Sequence, residues 1–168
     1  ADDDSYAAGL QAGVKTALRG MGLTYGAGFV DFIDIRGFPT FVNTAKSYGN
    51  SVDAEGKYLY DFRIAQVFGE AAFPIKPAPV LVYGEIADNV AQDVDDGSAW
   101  VLGLNVGGLK NPGSWMARWQ YQYTERDAVV GAFTNSEIGG AGSNVRGHSL
   151  GADILVSPQV TFAATMYL

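Results

Sequence analysis

The chain has 168 residues, 22 of them Gly, no Cys, one His and a formal net charge of −7. Hydrophobic residues make up 48% and charged residues only 17%, against roughly 25% charged in an average soluble domain, which argues against disorder. The lack of Cys excludes disulfides, thiolate metal sites and cysteine nucleophiles, one His excludes multi-His metal cages, and the acidic balance argues against nucleic acid. No run approaches 18 apolar residues, so no transmembrane helix is predicted. Asp2, Asp3 and Asp4 stand where an intact signal peptide would carry a basic region.

Alternation with a period of two dominates the chain, and a strand sends successive side chains to opposite faces. Eight strands are predicted. In the first, Leu10, Ala12, Val14 and Leu18 oppose Gly9, Gln11, Gly13 and Lys15. In the second, Leu23, Tyr25, Ala27 and Phe29 oppose Thr24, Gly26 and Gly28; in the third, Tyr58, Tyr60, Phe62 and Ile64 oppose Asp61 and Arg63. The fourth sets Val80, Val82, Gly84 and Ile86 against Leu81, Tyr83 and Glu85. Ser98 to Leu109 sets Trp100, Leu102, Leu104 and Val106 against Val101, Gly103, Asn105 and Gly107. The clearest segment, Ser114 to Arg126, places Trp115, Ala117, Trp119, Tyr121 and Tyr123 on one face and Met116, Arg118, Gln120, Gln122 and Thr124 on the other. Leu150, Ala152, Ile154 and Val156 then oppose Ser149, Gly151 and Asp153, and Val160 to Leu168 alternates against Thr161 to Tyr167. The register slips near Asp31 to Ile33 and again near Gln66; a β-bulge or a strand leaving the apolar zone accounts for either.

The connections alternate between short and long. Arg19-Gly20, Phe73 to Pro79, Lys110 to Gly113 and Ser157-Pro158 are short, whereas roughly 37–57, 89–97 and 127–144 are long and polar. A soluble sandwich has no reason to gather every long loop at one end, but an outer-membrane barrel does, since its periplasmic turns are short and its extracellular loops long. Three features turn the uniform apolar face toward lipid rather than toward a soluble core. It lacks charge over most of its length; its aromatics, as in Tyr58-x-Tyr60 and Tyr121-x-Tyr123, crowd toward strand ends like an interfacial girdle; and the opposite face is rich in Gly, Ser, Thr, Gln and Asn. Because a charge at the bilayer midplane costs about 2–4 kcal/mol on the lipid face, Arg118 is expected to point inward. The fold class is therefore all-β: an antiparallel up-and-down transmembrane β-barrel.

The stretch Lys57 to Phe62 resembles the putative porin family of Gram-negative bacteria, and so does the order of motifs from Gly108 to Gly151. These are the K-x-P-G-x-W turn at Lys110 to Trp115, the Tyr-rich strand running into a charged tract at Tyr121 to Ala128, F-T-N-S at Phe133 to Ser136, the Gly-rich Gly139 to Gly142, and G-H-x-L-G at Gly147 to Gly151. The resemblance is to the C-terminal half of that family. It implies a bacterial outer-membrane β-barrel acting as a passive pore, with no catalytic residues to carry over. If Arg19-Gly20 and Ser157-Pro158 are periplasmic turns, both chain ends lie extracellular, whereas bacterial single-chain barrels keep both ends periplasmic. Residues 1–168 are thus expected to be a C-terminal portion of one outer-membrane barrel domain, eight strands of roughly 16. The alternative is a mature N-terminus at Ala1 after signal cleavage and an eight-stranded barrel of unusual orientation.

Other chemistry is weak. His148 lies between Gly147 and Ser149 with no nucleophile-elbow sequence and reads as an interfacial or loop histidine. Asp93-x-Asp95-Asp96-Gly97 lacks the closing Glu of a Ca²⁺ loop and reads as a solvated acidic loop. Gly139 to Gly142 is no P-loop and reads as loop flexibility, with a loop folded into the pore as one form of it. No catalytic, cofactor-binding or metal residue is expected, and the chain does not read as an enzyme. The predicted pore lining is Lys15, Asp61, Arg63, Glu85, Asn105, Arg118, Gln120, Gln122 and Asp153. Its charges of both signs serve a transverse field that tunes ion preference, salt bridges that brace the wall, or both. The expected function is passive diffusion of ions and small hydrophilic solutes across the bacterial outer membrane. The alternatives are a non-conducting barrel that anchors the envelope and a soluble ligand-binding barrel. Expected partners are outer-membrane lipid and the permeating solutes and ions, with a homo-oligomer or association with other envelope proteins left open.

Overall fold

The computed structural model describes residues 5–41, 46–134, 137–138 and 142–168. Asp2 to Asp4, Asn135, Ser136 and Gly139 to Ala141, all singled out in the sequence, lie outside the described residues. Eight strands form one antiparallel sheet in which each pairs with its sequence neighbour: β1 (Tyr6–Leu18), β2 (Met21–Ile33), β3 (Phe62–Phe73), β4 (Val80–Asn89), β5 (Ser98–Gly107), β6 (Trp115–Thr124), β7 (Val145–Ser157) and β8 (Val160–Tyr167). The sheet is not closed: β1 and β8 are its edges. The all-β, up-and-down reading holds. No helix among the described residues is long and apolar enough to cross a membrane, a statement that leaves strands untouched.

Turn chemistry explains the short connections. Arg19 and Gly20 both take positive φ, 51° and 86°, the pairing a two-residue hairpin turn needs to match strand twist. At the β5–β6 turn, the Ser114 hydroxyl oxygen accepts from the backbone N–H groups of Lys110 and Asn111.

The long connections gather at the opposite end and fold over the sheet. Ile35, Tyr58, Phe62, Ile64, Ala87 and Val130 form a buried cluster with Phe32, Phe41, Val129 and Ala132 packed against it. Buried polar groups hold these loops together. The Asn50 amide nitrogen donates to the carbonyls of Arg126 (2.7 Å) and Val129 (2.8 Å) and to the Ser143 hydroxyl (3.1 Å), while its oxygen accepts from Gly131 N–H (2.8 Å). Asp127 accepts from the Ser51 N–H and hydroxyl, and Asn89 donates to the carbonyls of Asp61 and Asp127. A buried phenol resists ionisation: burial pushes Tyr58 above its usual range, opposed by the Phe41 N–H that donates to its oxygen.

One expectation needs correction, and one open alternative is resolved. Tyr58 and Tyr60 precede β3 rather than belonging to it, and Tyr58 is 1% exposed in the loop core instead of standing in an interfacial girdle. The register of β2 is continuous from Tyr6↔Ile33 to Leu18↔Met21 and from Phe32↔Phe62 to Gly22↔Ala72. The slip near Asp31 is therefore the strand leaving the apolar zone. A register shift falls in β7, between Leu155 and Ser157.

Candidate pore lining

Paired residues in a β-ladder share a face, so the register sorts every side chain. One face carries Leu23, Tyr25, Ala27 and Phe29 of β2, Ala65, Val67 and Ala71 of β3, Val82 and Ile86 of β4, Trp100, Leu102 and Leu104 of β5, Trp115, Trp119 and Tyr121 of β6, Leu150, Ala152 and Ile154 of β7, and Phe162 and Met166 of β8. The other face carries Gln66, Phe68 and Glu70, then Tyr83 and Glu85, Asn105, Arg118, Gln120 and Gln122, and Ser149 and Asp153.

The exposure of the two faces inverts the rule for soluble proteins. Val67 and Ile86 are each 54% exposed, Trp115 51% and Phe162 65%, whereas on the polar face Asp153 is 8% exposed and Thr124 5%. Water-soluble sheets bury the apolar side and show the polar one; here, from β3 to β7, many large apolar side chains stand exposed while the polar side is mostly half-buried, with Asp153 and Thr124 buried.

Seven of the nine expected lining residues share the polar face. Lys15 on β1 registers with Thr24 of β2. Glu85 pairs with Phe68 and Val101; Asn105 with Leu81 and Arg118; Gln120 with Gly103 and Ser149; Gln122 with Val101 and Gly147. Arg118 grips Asp153 with two parallel bonds, Nε to Oδ2 and Nη2 to Oδ1, both 2.9 Å. That fork geometry is among the strong charge-assisted arrangements.

The other two do not join them. Asp61 lies in the connection before β3, where it accepts from the Arg36 N–H at 3.0 Å. Arg63 registers with Asp31 on the apolar face, at its loop-side rim, with a 3.8 Å ion pair and a half-exposed side chain. Both corrections have one cause. Phe62 and Ile64 point to the polar side because the loop cluster packs there and supplies an apolar contact at that end. The neighbouring Arg63 is thereby turned outward.

Sequence reasoning missed Gln66, Phe68, Glu70 and Tyr83 as wall residues. Thr24 donates to Glu70 at 2.7 Å, and the Tyr83 hydroxyl donates to Gln120 Oε1 at 3.0 Å. Alternation had placed Tyr83 beside Glu85, and an aromatic was simply not counted as a polar lining residue. His148 stands on the apolar face, where it accepts from Trp119 Nε1 at 3.2 Å, opposite to Ser149 and Asp153. These three cannot act as a triad.

A model of the family described as Putative porin matches residues 62–167, β3 through β8. The chain belongs to that family. No curated protein and no solved structure matches it. The porin match covers Arg118 and Asp153 together with the loop residues Asp127 and Ser143.

Proposed function

We propose that this porin-family chain is a wall of an outer-membrane channel through which ions and small hydrophilic solutes diffuse passively. The observation that carries the reading is the inverted exposure: bare Val67, Ile86, Trp115 and Phe162 on one side, sheltered Asp153 and Thr124 on the other. Hydrocarbon supplies the contacts the apolar face lacks, and a water-filled lumen solvates the polar face. Eight strands closed on themselves leave an interior only wide enough for side chains, so the proposal has the edges β1 and β8 continue into further strands. Planar-bilayer recording of the membrane-assembled protein tests it. Stepwise ohmic openings are expected, with permeation of small uncharged sugars into liposomes.

One observation favours a second reading. The loop cluster over Phe62, Ile64 and Ala87 sits on the lumen side of β2, β3 and β4. Were it to seal the lumen, the barrel would anchor the envelope without conducting, and the same recordings would stay silent.

A further inference from the structure

The long side chains of the polar face are not scattered relative to the glycines. Gln66 registers with Gly28, Phe68 with Gly26, Tyr83 and Gln120 with Gly103, and Arg118 with Gly151. Gln66, Phe68, Tyr83 and Arg118 each lie down over their glycine. A Cβ built on Gly28 would stand 2.9 Å from Gln66 Nε2, and one on Gly151 would stand 2.9 Å from Arg118 Nη2 and 3.0 Å from its Cζ. One on Gly103 would overlap the Tyr83 ring and hydroxyl. Hydrogen bonds hold two of the flattened chains at their far ends. Tyr83 on β4 crosses β5 to reach Gln120 on β6, and Arg118 on β6 crosses to Asp153 on β7. Strands lie about 4.8 Å apart, so a chain that spans a neighbour runs along the wall and projects little from it.

We propose that Gly103 and Gly151 are size-determining residues of the channel: by leaving room for Tyr83 and Arg118 to lie flat, they set the free width of the lumen at that height. This rests on the pore reading above. Gly103 is the cleaner of the two to change, because the far end of Tyr83 that its missing Cβ would meet is held by one hydrogen bond and can swing away from the wall, whereas the Arg118 end over Gly151 is tied to Asp153 by two. Gly26 would not serve, since its Cβ would meet the backbone oxygen of Ala12 as well as Phe68.

The test compares wild type, Gly103→Ala, Tyr83→Ala and the double variant in the membrane-assembled protein. Single-channel conductance and the exclusion limit for graded neutral sugars are measured, and nitration of Tyr83 by tetranitromethane is followed by peptide mass spectrometry. Gly103→Ala is expected to lose conductance, lower the size limit and nitrate Tyr83 faster, because the ring now stands in the lumen. The double variant is expected to regain at least wild-type conductance. Unchanged conductance in an open Gly103→Ala channel overturns the proposal, and so does a loss that persists once Tyr83 is removed, since the strand rather than the ring would then be disturbed. A silent wild type refutes the pore reading instead. Nitration still decides the role of the glycine in that case: equal rates in wild type and Gly103→Ala overturn it.

Discussion

The Arg118–Asp153 pair offers a charge test whose sign can be worked out in advance. Two bonds of 2.9 Å tie the groups together, with the Asp153 side chain 7% exposed and Arg118 37%. Together they present a dipole and almost no net charge on the polar face. Arg118→Gln leaves a carboxylate on the wall; Asp153→Asn leaves a guanidinium. A unit charge acting on an ion about 4 Å away contributes about 1 kcal/mol in bulk-like water and more where the dielectric falls, which corresponds to roughly fivefold in ion partitioning. Arg118→Gln favours cations and disfavours anions by about that factor each, so it is expected to raise the cation-to-anion permeability ratio by up to about 25-fold, and Asp153→Asn to lower it by a similar factor. The double variant should return near wild type. Reversal potentials across a planar bilayer under a salt gradient give the ratios, and the shifts should shrink at 1 M salt, where the screening length falls to about 3 Å. Leaving Asp153 without its partner costs about 1–3 kcal/mol, so the unfolding midpoint of each variant is measured alongside. Shifts of the same sign in both single variants, or none in open channels, would refute the placement of this pair on the lumen wall.

Asn50→Ala removes the amide that joins Arg126, Val129, Gly131 and Ser143; loop docking is expected to weaken by about 2–4 kcal/mol, read as faster limited proteolysis between residues 46 and 61. Burial raises the Tyr58 pKa, so the docked loops favour the neutral phenol. That contribution is whole below about pH 10, the ordinary value, and is lost as pH climbs through the raised one; phenolate absorbance and loop proteolysis should rise together only in strong alkali. Val82→Lys on the apolar face is expected to cost about 2–4 kcal/mol of stability in lipid, and Val101→Lys on the polar face much less, as urea midpoints in vesicles would report.

The two faces of β4 to β8 were legible from alternation alone, because from Val80 onward one side is apolar over most of its length and the other mixed. Trp100, Trp115, Ile154 and Phe162 fall together on the apolar side, as their spacing required. β3 was not legible in the same way. An apolar residue every second position between Tyr58 and Ile64 has two physical meanings: a face turned to lipid, or a face covered by a folded loop. Choosing between them needs contacts from residues far along the chain, here Ile35 and Val130. The choice made from sequence carried Arg63 to the wrong side. The glycine niches were hidden for a related reason, since Tyr83 and Gly103 are neighbours only once two strands are set in register.

Arg63 on the outer face at first looks like evidence against a lipid contact there, yet its position supports one. Along β3 the outward residues between the turn and Arg63 are Phe73, Ala71, Gly69, Val67 and Ala65, and Arg63 follows only where Asp31 stands opposite. On β4 the outward series Val80, Val82, Gly84 and Ile86 ends at Asp88, which registers with Ser98. On β7 it runs from Ile154 through Ala152 and Leu150 to His148 and Arg146, beside Tyr121 and Tyr123. On all three strands the uncharged run starts at the short turns and stops at the long loops. Seven to nine residues at about 3.4 Å each, tilted near 45°, rise about 17–22 Å, close to the roughly 25 Å apolar band of outer-membrane barrels, whose borders carry aromatic girdles. A soluble sheet has no cause to confine its outward charges to the loop-side end of its strands. A bilayer does, because a charge costs most at its midplane and little at its interface. Arg63, Asp88 and Arg146 thus end the uncharged runs on the loop side, where the proposed outer-membrane placement puts the interface.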